Sequence, residues 1–150
     1  MSSSTSELKN DLESNKYILP EMQDNHNNIL HNFCYISKDD IIINYQYFKI
    51  YTRHFSNVEN ILWYLIQKIE EILKNHKSFN VHLKIKSLTL IEIDKHKELI
   101  STMSILLKEK FPDKLNNCLI YDAPFIFSTL FSIISKFIDK DTQKKIKLIK

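Results

Sequence analysis

Glycine is absent from all 150 residues. A phosphate-cradling loop brings backbone against phosphate where no side chain fits, so it needs glycine. Neither a Walker-type loop nor a dinucleotide fingerprint can be written from this chain. The strand–turn–helix elbow around a hydrolase serine falls on the same ground. Helix ends must also find another residue for the left-handed position that glycine usually takes, and Asn75 is the expected substitute. Cysteine is nearly absent. Cys34 and Cys118 stand alone, with no C-x-x-C pair. Cys118 lies in an apolar run and reads as a buried thiol, whereas a nucleophile needs an exposed, electropositive setting. Two lone cysteines with no secretory signal point to a reducing compartment and a cytoplasmic protein. Long apolar runs are missing too. The longest, Ala123 to Ile138, is interrupted by Ser128, Thr129, Ser132, Ser135 and Lys136, too short and too polar to span a bilayer. The Ser-rich start has no apolar leader, so no signal peptide is read.

An excess of one charge sign is also lacking. The 21 basic and 18 acidic residues leave a net +3 and alternate along the chain. A nucleic-acid binder concentrates its charge on one face, so no nucleic-acid partner is expected. Lysines thicken at the end, at Lys144, Lys145, Lys147 and Lys150. A solvated edge explains them; a contact to an anionic head group or a membrane surface is the sharper reading. Six histidines are scattered with no i, i+4 pair flanking a carboxylate, so no metal site is expected.

What is present is the composition of one globular domain, 43% hydrophobic. Residues 1–32 are polar and read as a mostly flexible tail, with room for a short helix around Thr5 to Glu13. Residues 33–150 read as a single domain. Ile41 to Tyr51 is crowded with β-branched and aromatic residues, which predicts a strand or a strand pair. Ser56 and Glu59 have capping-box spacing, and Val58, Ile61, Leu62, Leu65, Ile69 and Ile72 follow helical spacing to about Lys74. Val81, Leu83 and Ile85 alternate with His82, Lys84 and Lys86, as in a strand with one polar face. His82 there is expected to be structural. Asp94 is the expected cap of a second helix, striped by Leu99, Met103, Leu106 and Leu107 and ended at Pro112. Cys118 to Tyr121 is continuously apolar, like a central parallel strand. Asp122 follows as a cap, and Pro124 opens a third helix. Lys145 to Ile149 alternates as a last strand. Strands alternating with long helices predict an α/β fold, a mainly parallel sheet flanked by helices.

No assembled nucleophile, base and oxyanion hole is found, so catalysis is not expected. Phe125, Phe127, Phe131 and Phe137 crowd one segment. Core packing and the wall of an apolar cavity both account for them.

An ordered series of steps then stands out. It runs from Phe111-Pro112-Asp113-Lys114-Leu115 to Leu119-Ile120-Tyr121-Asp122-Ala123-Pro124. It continues through Phe125, Phe127 and Phe131 to Phe137-Ile138-Asp139 and Thr142-Gln143-Lys144-Lys145-Ile146. Upstream, Lys86-Ser87-Leu88-Thr89-Leu90 adds a weaker step. The series resembles CRAL-TRIO domains over roughly the last half of the chain. The resemblance implies a CRAL-TRIO-like fold with an apolar pocket for one lipid or similar hydrophobic ligand, no cofactor and no catalysis. It implies Asp113 and Lys145 at a phosphatidylinositol-type head group, with Phe125, Phe127 and Phe131 on the apolar wall. The pattern departs at Asp113, one methylene shorter than the family's glutamate. It departs again at Asp122 for asparagine, Lys84 for aspartate and Ser87 for glycine. The resemblance also leads one to expect that the usual C-terminal gate region is lacking. The function so implied is lipid binding, with transfer as its extension. The alternative is a protein-interaction module or homodimer that has lost transfer. Peripheral membrane contact fits either.

Overall fold

The structure, a computed structural model, describes residues 20–149. Its elements, in chain order, begin with helix α1 (Pro20–Phe33), strand β1 (Cys34–Ser37), strand β2 (Asp40–Asn44) and helix α2 (Tyr45–His54). Helix α3 (Glu59–Leu73), strand β3 (Phe79–Lys84), and helices α4 (Leu90–Lys95) and α5 (Lys97–Lys110) follow. Strand β4 (Leu115–Tyr121) leads to helix α6 (Phe127–Ile134), a 3-10 turn (Ser135–Phe137), helix α7 (Lys140–Gln143) and strand β5 (Ile146–Ile149).

The five strands lie in the order β1-β2-β3-β4-β5. β2 through β5 are parallel, and β1 joins antiparallel through a hairpin in which Ser37 faces Asp40. Parallel neighbours in sequence order need crossovers, and right-handed crossovers between them put every connecting helix on one face. Burial agrees. Ile41, Ile43, Phe79, Val81, Cys118 and Ile120 share one face and are buried. The residues between them, Ile42, Asn80, His82, Leu119 and Tyr121, are only half-buried. That second face carries a polar chain. Asp40 Oδ1 lies 3.0 Å from His82 Nε2, and His82 Nδ1 lies 2.8 Å from the Tyr121 hydroxyl. The Asn80 amide donates to the same Asp40 oxygen, and Asn116 donates to Asn80. His82 is thus held between two partners, as expected of a structural histidine.

Several local expectations change. Tyr45 to Tyr51 is helical, not extended. Asn44 caps α2 by accepting from the Gln46 N–H, and Tyr45, Phe48 and Tyr51 recur at helical spacing on its buried side. Spacing overrides β propensity there. Before α3, Asn57 rather than Ser56 accepts from the Glu59 N–H. The end of α3 needs no left-handed residue, because Asn75 and His76 both donate to the Ile72 carbonyl in a right-handed turn. Asp94 lies inside α4, whose cap is Thr89. Its hydroxyl accepts from the Glu92 N–H while Glu92 accepts from the Thr89 N–H. The left-handed residues among those described are Lys38, Asp113 and Asp122. Asp122 ends β4, with its N–H donated to the Ile149 carbonyl, and α6 begins later without a side-chain cap. Pro124 belongs to the turn before α6.

The stretch expected as a tail to residue 32 is helical from Pro20, and Ile29 and Leu30 are buried. α1 packs on α2, with the Phe33 and Phe48 rings 6.2 Å apart and His26 3.0 Å from the Tyr51 hydroxyl. Residues 1–19, and with them the helix expected around Thr5 to Glu13, lie outside the described residues.

α3 packs directly on β1, β2 and β3, but α5 and α6 pack chiefly on each other and on neighbouring helical turns rather than on any strand. No residue of α5 is fully buried, although Leu99, Ile100, Met103, Leu106 and Leu107 all face the core. A helix with an apolar stripe and no sealed side chain stands off from the layer beneath it. At its far end, the Lys110 ammonium sits 5.7 Å above the Trp63 ring of α3.

Candidate functional site

The space under α5 is an apolar cavity of about 410 Å³. Its floor is the buried sheet face, including Val81 and Cys118. Leu65 and Ile69 of α3 form a side wall, and Met103, Leu107, Leu130 and Ile134 form the roof. The volume falls within the ~300–1,000 Å³ range of ligand pockets.

Its charged groups gather where β4 and β5 begin. Lys108, Asp113, Asp139, Thr142 and Lys145 all border the cavity. Lys145 is half-buried and donates from Nζ to the Leu115 carbonyl at 2.8 Å. An ammonium has three donors, so this bond leaves two. Asp139 caps α7 by accepting from the Thr142 N–H at 2.7 Å. That backbone bond holds its carboxyl below the usual range, helped by the Thr142 hydroxyl and by the charges of Lys108 and Lys145. The Gln143 amide donates to the Ser135 and Ile138 carbonyls and braces the turn that carries Asp139. Asp113 is exposed and left-handed, at φ 60°, in the turn between α5 and β4.

The opposite end carries no charged side chain. Ile85, Leu88, Tyr45, Phe48 and His96 close it. His96 meets the Phe48 ring edge-on at 5.0 Å, and burial lowers its pKa. The Tyr45 hydroxyl is buried near the Glu92 carboxylate; burial first, then that charge, raises its pKa. The Cys118 thiol under the cavity is pushed up to about 12 by burial, as is that of Cys34. Neither is a thiolate near neutrality.

The structure brings together Asp113 and Lys145 of the residues read from the sequence. Phe125, Phe127 and Phe131 are not among the lining residues. Phe125 is 93% exposed in the turn before α6, and Phe127 and Phe131 stack on each other at 5.8 Å. Leu130 and Ile134 are the cavity-facing residues of α6 instead. Lys108, Asp139 and Thr142 join the site from the structure alone. The cap spacing of Asp139 and Thr142 is the sequence signal for two of them. Among the described residues no group of three or more His, Cys, Asp or Glu is placed to hold a metal ion. No described helix is long and apolar enough to cross a membrane.

The family model for the CRAL/TRIO domain matches residues 12–150. Among solved structures, the crystal structure of Sfh5 is similar, with a TM-score of 0.69 at 19% identity over 79% of this chain. The match covers 47% of Sfh5, so this chain spans about half that length. No curated protein matches the chain. At such low identity the likeness to Sfh5 concerns the fold, and the family model, matching the whole described region, settles the rest: this chain belongs to the CRAL/TRIO domain family.

Proposed function

We propose that this protein binds one lipid or similar hydrophobic ligand in the cavity beneath α5 and α6, without converting it chemically. The observation that carries this reading is an apolar hollow of about 410 Å³ with its charged groups confined to one end. An empty apolar space of that size is costly in a core that is otherwise close-packed, and a ligand restores the lost contacts. Lys145 supplies two further donors to an anionic head group, and Asp113 accepts hydroxyls near it. The high thiol pKa values fit a binding role. Family membership supports it as well. Two buried, unpaired cysteines fit a reducing, cytoplasmic setting, with the membrane as a peripheral source of ligand.

Native mass spectrometry of the purified protein, with extraction of bound lipid from the same sample, tests this reading. A ligand near one per chain is expected. Lys145→Ala should weaken an anionic ligand by roughly tenfold, the loss of one charge-assisted hydrogen bond. A ligand-free monomer that takes up no added amphiphile sinks the proposal. A second reading, an interaction module or homodimer, draws on the half-exposed sheet face around His82 and Tyr121. A ligand-free dimer is the result that favours it.

A further inference from the structure

We propose that the two segments leaving the C-terminal ends of β3 and β4 form a docking surface for an anionic lipid bilayer. This gives the membrane contact a place on the molecule, and it does not depend on what fills the cavity.

The strand register brings the segments together. Lys84 and Tyr121 are partners at the ends of the parallel strands β3 and β4. The chain after each strand therefore leaves the sheet at the same end, as residues 84–97 and 122–136. The two segments remain neighbours further out. There an open groove is walled by Leu90, Ile93 and Lys97 on one side and by Ser128, Thr129 and Lys136 on the other.

Exposure singles these segments out. Phe125 is 93% exposed and Ile91 82%, the two highest values among the large apolar residues described, and Leu90 beside Ile91 is 54% exposed. One such residue on a surface is ordinary, but several about one groove mark a contact site. Neither Phe125 nor Ile91 lines the cavity, so the ligand site does not account for them.

Charge and shape choose the occupant. Lys84, Lys86, Lys95, Lys97 and Lys136 are all exposed in these segments and outnumber the acids Glu92, Asp94 and Asp122. Glu92 is already taken by the Thr89 cap and lies 3.6 Å from the Lys49 ammonium. Anionic head groups attract lysines held near the surface. Apolar side chains that stand clear of the fold enter a fluid acyl layer without needing a matching pocket. Ile85 and Leu88 of the first segment also line the cavity, so docking sets a cavity wall against the bilayer.

The test sediments the full chain with vesicles of phosphatidylcholine alone and of equimolar phosphatidylcholine and phosphatidylserine. Binding should favour the mixed vesicles and weaken as salt rises. Phe125→Ser and Ile91→Ser should each cut it by about tenfold. Lys97→Gln combined with Lys136→Gln should cut binding to the mixed vesicles by at least about fivefold. All four positions are exposed, so circular dichroism should not change. Ile105→Ser, at an exposed position on α5 outside both segments, should leave binding intact. A wild-type chain that sediments with neither vesicle overturns the proposal. So does a Phe125→Ser or Ile91→Ser chain that binds like wild type, or an Ile105→Ser chain that binds as weakly as they should. A dimer in solution that Phe125→Ser dissociates assigns the surface to a second copy and overturns it as well. Ligand content, read by native mass spectrometry of the same samples, reports on the cavity separately, so a docking failure leaves that reading in place.

Discussion

Lys38 turns the β1–β2 hairpin with φ at 59°, in the left-handed region that a side chain disfavours. Asp113 and Asp122 share that region, but aspartate tolerates it better through local hydrogen bonding. A chain without glycine must accept this cost wherever it turns sharply, and lysine accepts it worst. Lys38→Gly is therefore expected to stabilise the protein by about 1 kcal/mol, read as a higher urea midpoint. His26 shows a different residue-level cost. Burial lowers its pKa below the ordinary 6.5. The unfolded chain then binds that proton more tightly than the folded one. Stability is full above pH 6.5 and falls as pH drops through the folded value. His96 acts in the same direction, with burial again the largest cause. The melting temperature should drop between about pH 7 and pH 5. His26→Asn should flatten the profile, and an unchanged slope would remove His26 from the account.

The elements differ in how firmly they are seated. Ile120 is fully buried near the end of β4, whereas Met103 lines the open space under α5. Ile120→Ala should cost about 3–4 kcal/mol, while Met103→Ala, at a half-buried position with fewer contacts to lose, should cost no more than about 2 kcal/mol. Equal costs would mean that α5 is packed like α3. The alternation of strand and helix from β2 to β5 is legible in the sequence because each element keeps one hydrophobic period. α2 misleads because Tyr45, Phe48 and Tyr51 are residues of strand-like composition at helical spacing, and spacing outweighs composition. α1 is hidden by its polar composition, with Ile29, Leu30 and Phe33 its one visible stripe. The Thr89–Glu92 box is plain in the sequence, but Asp94 offers a competing cap inside the helix that the box begins.

At the scale of the whole molecule, the sheet divides a covered face from an open one among the described residues. Asp113 and Lys145 ride on short, ordered steps of sequence, and both border the cavity. The cavity itself is not, since it depends on how far α5 stands from the sheet, and no residue pattern encodes that gap. The phenylalanines depend on side-chain direction: α6 turns Leu130 and Ile134 inward and pairs Phe127 with Phe131. A ligand that binds the folded state alone stabilises it by ~2.7 kcal/mol at a hundred times its dissociation constant. Saturation should then raise the melting temperature by about 8 °C. A saturating ligand that leaves the melt unmoved binds folded and unfolded chains alike, and so does not fill the cavity.

Trp63 is the chain's one indole, and the charge above its ring belongs to Lys110, the last residue of the cavity's roof helix. Indole emission responds to the field of a neighbouring cation. The pair is therefore a built-in optical gauge of the distance between α3 and α5. A ligand that shifts α5 against α3 is expected to shift the protein's own fluorescence, and Lys110→Met is expected to remove that response.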